Sequence, residues 1–229
     1  MKLMENLGFR ILPLERRPDK SLLIRSERIA TPLLSDNMNR LQGTSSGLRP
    51  IHKSGKMTGP AFTVKTRAGD NLMVHKAIDM ASPGDIIVVD AGGDMTQAVI
   101  GEIMMRLAAK KGIAGFVIDG AIRDSAAFQE QNYPCFAKGM THRGPYKEGP
   151  GEINVPITVG NMIVNPGDII VGDEDGLIAI PLQFAEEIIQ LGETQLKKEQ
   201  VIFAEIESGT INREWVDETL RQKGCALIE

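Results

Sequence analysis

Only two cysteines, Cys135 and Cys225, occur in the 229 residues. They lie far apart and form no metal-type spacing, so they cannot staple a domain of this size, and a reducing compartment is expected. No apolar run approaches the ~20 residues of a membrane helix. The opening stretch, MKLMENLGFR, lacks the continuous apolar core of a secretory signal. A cytoplasmic location without a membrane partner is the expectation. Positive charge is not in excess either: the net charge is -4, whereas binding a phosphate backbone wants a concentrated basic surface. The one basic cluster, Arg16, Arg17, Lys20, Arg25 and Arg28, is diluted by Glu15, Asp19 and Glu27 and reads as a solvated face. No nucleic-acid partner is expected. A GxGxxG fingerprint, a P-loop GKS or GKT, and a workable Ser-His-Asp or Cys-His set are all missing. His52, His75 and His142 show no ligand spacing and read as structural or surface histidines.

Hydrophobic residues make up 42% of the chain and charged residues 24%, which suits one folded domain with a sizeable core. Residues 1–30 are rich in charge and weakly periodic, and read as a peripheral arm. A compact core is expected over 31–182, followed by a C-terminal helical extension over 183–229. AFTVKT (61–66) reads as a strand after the Gly59-Pro60 turn. Residues 71–80 read as a helix with Leu72, Ala77 and Ile78 inward, and Pro83-Gly84 then turns the chain into the buried strand DIIVVD (85–90). After Gly92-Gly93 the pattern predicts a helix from about Thr96 or Gly101 to Lys111. Ile100, Ile103, Met104, Leu107 and Ala108 would share its inner face. Gly112 ends it, and GIAGFVID (112–119) is the next strand. This β–α–β unit implies parallel strands and an α/β fold.

One turn and strand recur: SPGDIIVVD (82–90) returns as NPGDIIVGD (165–173). INVPITV (153–159), MIVNPGD and GLIAIP (176–181) read as further strands, and their Gly and Pro density predicts curved, mixed pairing. The last long helix should run over about 183–207 and stop at Ser208-Gly209. Phe184, Ile188, Leu191, Ile202 and Ile206 share one stripe, with Glu199 in the middle of it. A carboxylate there is costly to bury unless it reaches solvent or a basic neighbour such as Lys198 or Arg213.

The segment DAGGDMTQAVIGEIMMRLAAKKGIAGFVIDGAIRDS (90–125) carries the most suggestive chemistry. A Gly-rich loop follows a strand, a helix begins, and a second strand ends at Asp119-Gly120 just before Arg123-Asp124. Such strand ends collect ligands, because backbone N–H groups and helix N-termini face them. Gly101 would let a small anion approach the first amides of the helix. Arg123 could clamp a carboxylate. Asp124 offers a hard oxygen of the kind Mg²⁺ or Mn²⁺ prefers. Glu102, turned away from the apolar stripe, adds a second carboxylate. The adjacent Arg-Asp equally reads as a surface pair. Asp36, Asn71, Gly93 and Asp119 are candidate supporting groups. THRGPYKEGPG (141–151) reads as a Pro/Gly turn rather than a lid or site wall.

GGDMTQAVIGE, GIAGFVIDGAIRD and PGDIIVGDEDG together resemble the RraA-like family, over most of the chain from about Thr31 to Gly209. That family includes the 4-hydroxy-4-methyl-2-oxoglutarate / 4-carboxy-4-hydroxy-2-oxoadipate aldolases. The resemblance implies a swivelling β/β/α sandwich with a β-rich core and flanking helices, assembled as a trimer or hexamer. It implies a class II aldolase or lyase using Mg²⁺ or Mn²⁺ on 4-hydroxy-2-oxo acids, with release of pyruvate and decarboxylation of oxaloacetate by the same chemistry. In that scheme Asp124 holds the metal, and Arg123 and the amides around Gly101, Glu102, Ile103 and Met104 meet the pyruvyl group. Glu102 orients metal-bound water and assists proton transfer, and Glu199 enters a neighbouring subunit's site. Lys65, Lys138 and Lys147 need no Schiff-base role. The family's acidic position is often Asp, where this chain has Glu102. The alternative implied is a non-enzymatic regulator, as in RraA proper, which inhibits the endoribonuclease RNase E; regulator members lack the helix that bears Glu199.

Overall fold

A computed structural model describes residues 6–44 and 47–226. Residues 1–5 and 227–229, part of the expected N-terminal arm and C-terminal extension, lie outside the described residues, as do 45–46. The first elements are β1 (Phe9–Ile11), α1 (Lys20–Glu27), α2 (Thr31–Asp36), β2 (Arg49–Pro50), β3 (Met57–Thr66) and α3 (Leu72–Met80). Then come β4 (Ile86–Asp90), β5 (Ala98–Ile100), α4 (Glu102–Lys111), β6 (Gly115–Ile122), α5 (Ser125–Glu130) and β7 (Cys135–Met140). The chain continues through β8 (Gly151–Ile153), β9 (Ile157–Val159), β10 (Met162–Val164), β11 (Ile169–Asp173) and β12 (Gly176–Ile180). It closes with α6 (Ala185–Ser208) and α7 (Glu214–Gln222).

β3, β4, β6 and β7 pair in parallel as the middle of a large sheet. β8 and β11 join β3 antiparallel, and β1 extends the β8 edge in parallel. The mixed pairing expected from the Gly- and Pro-rich second half is therefore present. β4 and β6 carry apolar residues on both faces because both faces are covered. One face packs Val89, Phe116 and Ile118 against α3, α4 and α5. The other packs Val88 and Val117 against the β9–β10 hairpin and β11–β12. The fold is α/β with a large sheet and flanking helices.

The two PGD turns share one construction. In each, the aspartate carboxylate accepts the amide three residues back, Ser82 N to Asp85 Oδ2 and Asn165 N to Asp168 Oδ2, both at 2.8 Å. Their outer partners differ. Asp85 takes the Arg17 guanidinium, and Asp168 takes the amide of Leu182 at 3.1 Å. Burial pushes the Asp168 carboxyl above the usual carboxylate range, against the pull of its hydrogen bonds from Asn165 and Leu182.

Several boundaries depart from the sequence reading. Residues 98–100 form β5, not the start of a helix, because Ala98, Val99 and Ile100 are fully enclosed and pair with the end of β6. β6 runs past Asp119-Gly120 to Ile122. INVPITV is split in two at Asn154, which has positive φ, and Pro156. On α4 the inward face is Met104, Met105 and Ala108, while Ile103 and Leu107 are 71% and 51% exposed. The helix stops at Gly112, whose φ of 79° is the left-handed cap that glycine adopts freely. Phe9–Ile11 form an edge strand and Ile29 is fully buried, so the described part of the expected arm contributes to the sheet and the core.

The chain divides into two compact units, one ending at Gly192 and one beginning at Glu193. In the first, the opening turns of α6 bury Ala185, Ile188, Ile189 and Gly192. In the second, Val201, Ile202, Phe203 and Ile206 of α6 and Trp215 of α7 are exposed. Of the five stripe residues named above, only Ile188 is buried within the single chain. Among the described residues, no helix is long and apolar enough to cross a membrane.

Candidate functional site

β5 and β6 lie side by side in parallel with Ile100 opposite Ile122, so the residues that follow each strand emerge together. Arg123 N donates to Ile100 O at 3.0 Å. Gly101 is thereby set against Arg123 and Asp124. A Cβ at Gly101 would stand 2.5 Å from Asp124 Oδ2 and 2.9 Å from Arg123 Cγ, so a larger residue there would have to displace those two side chains. Gly101 supplies no capping side chain to α4; Asp124 caps it from a distance, its Oδ2 accepting Glu102 N at 3.0 Å. The amides of Ile103 and Met104 that follow have no intrahelical acceptor, as at every helix start. The helix dipole favours an anion here.

Asp124 holds a left-handed backbone (φ 56°), which aspartate tolerates better than most residues. Its carboxylate lies 3.7 Å from Arg123 Nε, and both side chains are more than two-fifths exposed. Glu102 is engaged differently from the expectation. Its Oε1 receives Arg106 Nε at 2.7 Å and Nη2 at 2.6 Å, one helical turn on, while Oε2 has no partner among the described residues.

A cavity of about 110 Å³ opens beside this junction, lined by Ile100, Gly101, Ile103, Met104 and Arg123 on one side. Asn71, His75, Pro145 and Lys147 line the other. The size suits a small acid rather than the drug-sized ligands that fill pockets of ~300–1,000 Å³. Two cations line it and no carboxylate does. Burial first, and then the nearby Lys147 charge, lower the His75 pKa below its ordinary value, with Asp79 opposing. Asn71 is 2% exposed; its Nδ2 donates to Val99 O at 2.9 Å, and its buried Oδ1 has no partner among the described residues. Across Arg123 lies a more open depression formed by Asp124, Ser125, Ala126, Met140, Thr141 and His142.

The structure thus brings together Gly101, Ile103, Met104, Arg123, Asp124 and the Glu102 amide. Glu199 lies half-buried in the unit that begins at Glu193, with no ion pair to Lys198 or Arg213 among the described residues. Asp36 pairs with Arg40. Asp119 lies on the opposite sheet face, near Lys138 and the Gly160 amide, so neither Asp36 nor Asp119 supports the cavity. His52 is structural: it is buried, with its ring between the Cys135 backbone and Gly55 O. His75 and Lys147 are the residues the sequence reading passed over, and 141–151 supplies a cavity wall instead of a simple turn. Asn71 and His75 stand four apart on an amphipathic helix, a spacing that puts them on one face and was the available signal.

Residues 31–179 match the RraA-like family described as Aldolase/RraA. A Halalkalibacterium halodurans protein, provisionally named a 4-hydroxy-4-methyl-2-oxoglutarate aldolase, is 46% identical over 71% of this chain and 77% of its own length. A Thermus thermophilus protein named 4-hydroxy-4-methyl-2-oxoglutarate aldolase is 38% identical over 49% of this chain and 68% of its own. Among solved structures, Streptomyces coelicolor RraAS2, described as an unusual member of the RNase ES inhibitor RraA protein family, superposes with a TM-score of 0.74 at 27% identity. That match covers 81% of this chain and 97% of RraAS2.

Proposed function

The chain belongs to the RraA-like family, and from that premise we propose that it is a divalent-metal-dependent lyase cleaving 4-hydroxy-2-oxo acids to pyruvate and a second oxo acid. The observation that carries this reading is the Gly101–Arg123–Asp124 junction, where a helix start, a guanidinium and a carboxylate meet beside a small cationic cavity. The aldolase names of the relatives support the activity class.

The donor chemistry fits a hard cation. Asp124 is the carboxylate that would hold Mg²⁺ or Mn²⁺, with Glu102 and a neighbouring subunit's Glu199 reaching it through water. No cluster of three or more His, Cys, Asp or Glu exists among the described residues. Remaining coordination falls to water and substrate, as is usual for Mg²⁺. When bound, the ion supplies Lewis acidity to the 2-oxo group.

The chain's own groups supply the rest. Arg123, with the Ile103 and Met104 amides, receives the C1 carboxylate and offsets the charge that grows on the C2 oxygen. As the C3–C4 bond breaks, the C4 hydroxyl loses its proton and becomes the carbonyl of the second product. The bonding pair passes to C3 and onto the C2 oxygen, and protonation at C3 gives pyruvate. Glu102, through Oε2 and water, carries the proton. Lys147 beside His75 meets the second carboxylate. Oxaloacetate would lose CO₂ by the same electron flow. Exposed Ile103 and Leu107 on α4 and the bare stripe on α6 support self-association, for which the family resemblance suggests a trimer or a dimer of trimers.

The rival reading is a regulator that binds a ribonuclease, which the likeness to RraAS2 favours; the long α6 favours the enzyme. The deciding assay is pyruvate release from 4-hydroxy-4-methyl-2-oxoglutarate and from oxaloacetate with Mg²⁺ or Mn²⁺, repeated with excess EDTA. Metal-dependent release that disappears in Arg123→Ala is expected. No release from intact, metal-supplied protein overturns the enzyme reading and leaves the regulator.

A further inference from the structure

The cavity wall opposite Arg123 is assembled from two segments far apart in sequence, α3 with Asn71 and His75, and the 144–149 loop with Pro145 and Lys147. One buried side chain joins them. Asp70 is 0% exposed. Its Oδ1 accepts Leu72 N at 2.9 Å, at the start of α3. Its Oδ2 accepts Glu148 N at 2.7 Å and Gly149 N at 2.9 Å, immediately after Lys147. Arg67 Nη2 stands 3.7 Å from Oδ2 and is half exposed. Backbone bonds run alongside: Asn71 N to Tyr146 O at 3.0 Å and Tyr146 N to Gly69 O at 2.8 Å.

We propose that Asp70 is a positioning residue for substrate selection, fixing Lys147 and His75 at the spacing that receives the distal carboxylate of the substrate. The role given to Lys147 and His75 rests on the proposed function; the clamp itself does not. A buried carboxylate that accepts several backbone amides is held rigidly, because each lost bond leaves a buried donor or charge unsatisfied. Few neutral side chains could replace it. An asparagine at 70 would aim N–H groups at N–H donors on one side. The pyruvyl half of the site touches none of these bonds, so loosening the clamp should act on recognition of the distal half alone.

Asp70→Asn tests this through two reactions that share the pyruvyl half. Exchange of pyruvate methyl hydrogens in D₂O needs no distal group, whereas cleavage of 4-hydroxy-4-methyl-2-oxoglutarate does. The expected result is KM for cleavage raised about tenfold, the scale of one charged hydrogen bond, with pyruvate exchange and kcat close to wild type. A parallel fall of kcat and pyruvate exchange, or no change in any of the three, overturns the proposal. Amide exchange in the wild-type protein tests the clamp without turnover or a variant. Glu148 and Gly149 amides should exchange as slowly as the Asn71 amide, and exchange at the rate of exposed loop amides overturns the clamp. Should wild type release no pyruvate, the proposed function fails, while these amide rates still decide whether Asp70 holds the loop.

Discussion

The two walls of the cavity are built on opposite plans. The wall around Arg123 grows from the ends of two paired strands and the start of a helix, so its geometry is set by the sheet. The wall around Lys147 is a loop held to a helix start through one buried carboxylate and a few backbone bonds. A wall set by strand pairing is stiff, and a side chain at its closest point would have to displace Asp124 and Arg123. A wall set by a clamp can be retuned by small changes without touching the sheet. This division suits an enzyme whose reacting half is constant and whose distal half defines the substrate.

Breaking the first wall should have the largest effect. Arg123→Ala and Asp124→Ala are each expected to lower kcat by about 10³-fold or more, with circular dichroism near wild type in both and a thermal midpoint lowered only in Asp124→Ala, which loses the α4 cap. Wild-type rates in either variant would remove that wall from the chemistry. Gly101→Ala should follow at about 10²-fold, the usual result of ångström-scale misplacement, and a crystal structure should show Asp124 displaced. On the second wall, Lys147→Ala should weaken binding of the dicarboxylic substrate, read as KM, by about 1.5–3 kcal/mol and leave pyruvate hydrogen exchange alone; an equal loss in both reactions would erase the distinction between the walls. Glu199→Ala should lower activity about tenfold with the oligomer intact by light scattering, and unchanged activity and metal affinity would exclude its role in trans.

The smallest effect expected is on stability. His75 has a lowered folded pKa, so below about pH 6.5 the unfolded chain takes up the proton first. Stability should therefore fall as pH drops through 6.5 toward the folded value and be indifferent above it. Lys147→Ala removes one cause of the shift and should flatten that dependence in urea titrations.

The first wall was legible in the sequence because strand, glycine, helix and Arg-Asp follow one another within one continuous segment, and local pattern reports local geometry. Phase was harder. Spacing alone groups Ile100, Ile103, Met104, Leu107 and Ala108, but Ile100 belongs to a strand, and the sheet turns Met104, Met105 and Ala108 inward instead. Glu102 shows the same limit: its place near the site follows from sequence order, whereas its bond to Arg106 is a rotamer choice. The second wall joins residue 70 to residues 148 and 149, and periodicity carries no trace of a contact across so long a separation. His75 and Lys147 looked ordinary because what distinguishes them is each other.

The repeated PGD turn bears on where this chain can be shortened. The match to the family begins at residue 31, and every candidate site residue lies beyond it. Yet the first turn is moored by Arg17, whose guanidinium meets the fully buried Asp85, and the second is moored by the amide of Leu182. A chain trimmed to residues 31–179 would keep Arg123 and Asp124 but lose Glu199 and cast off both moorings, leaving at Asp85 a buried carboxylate without its counter-charge at a cost on the order of a few kcal/mol. The edge of resemblance is not the edge of the folding unit.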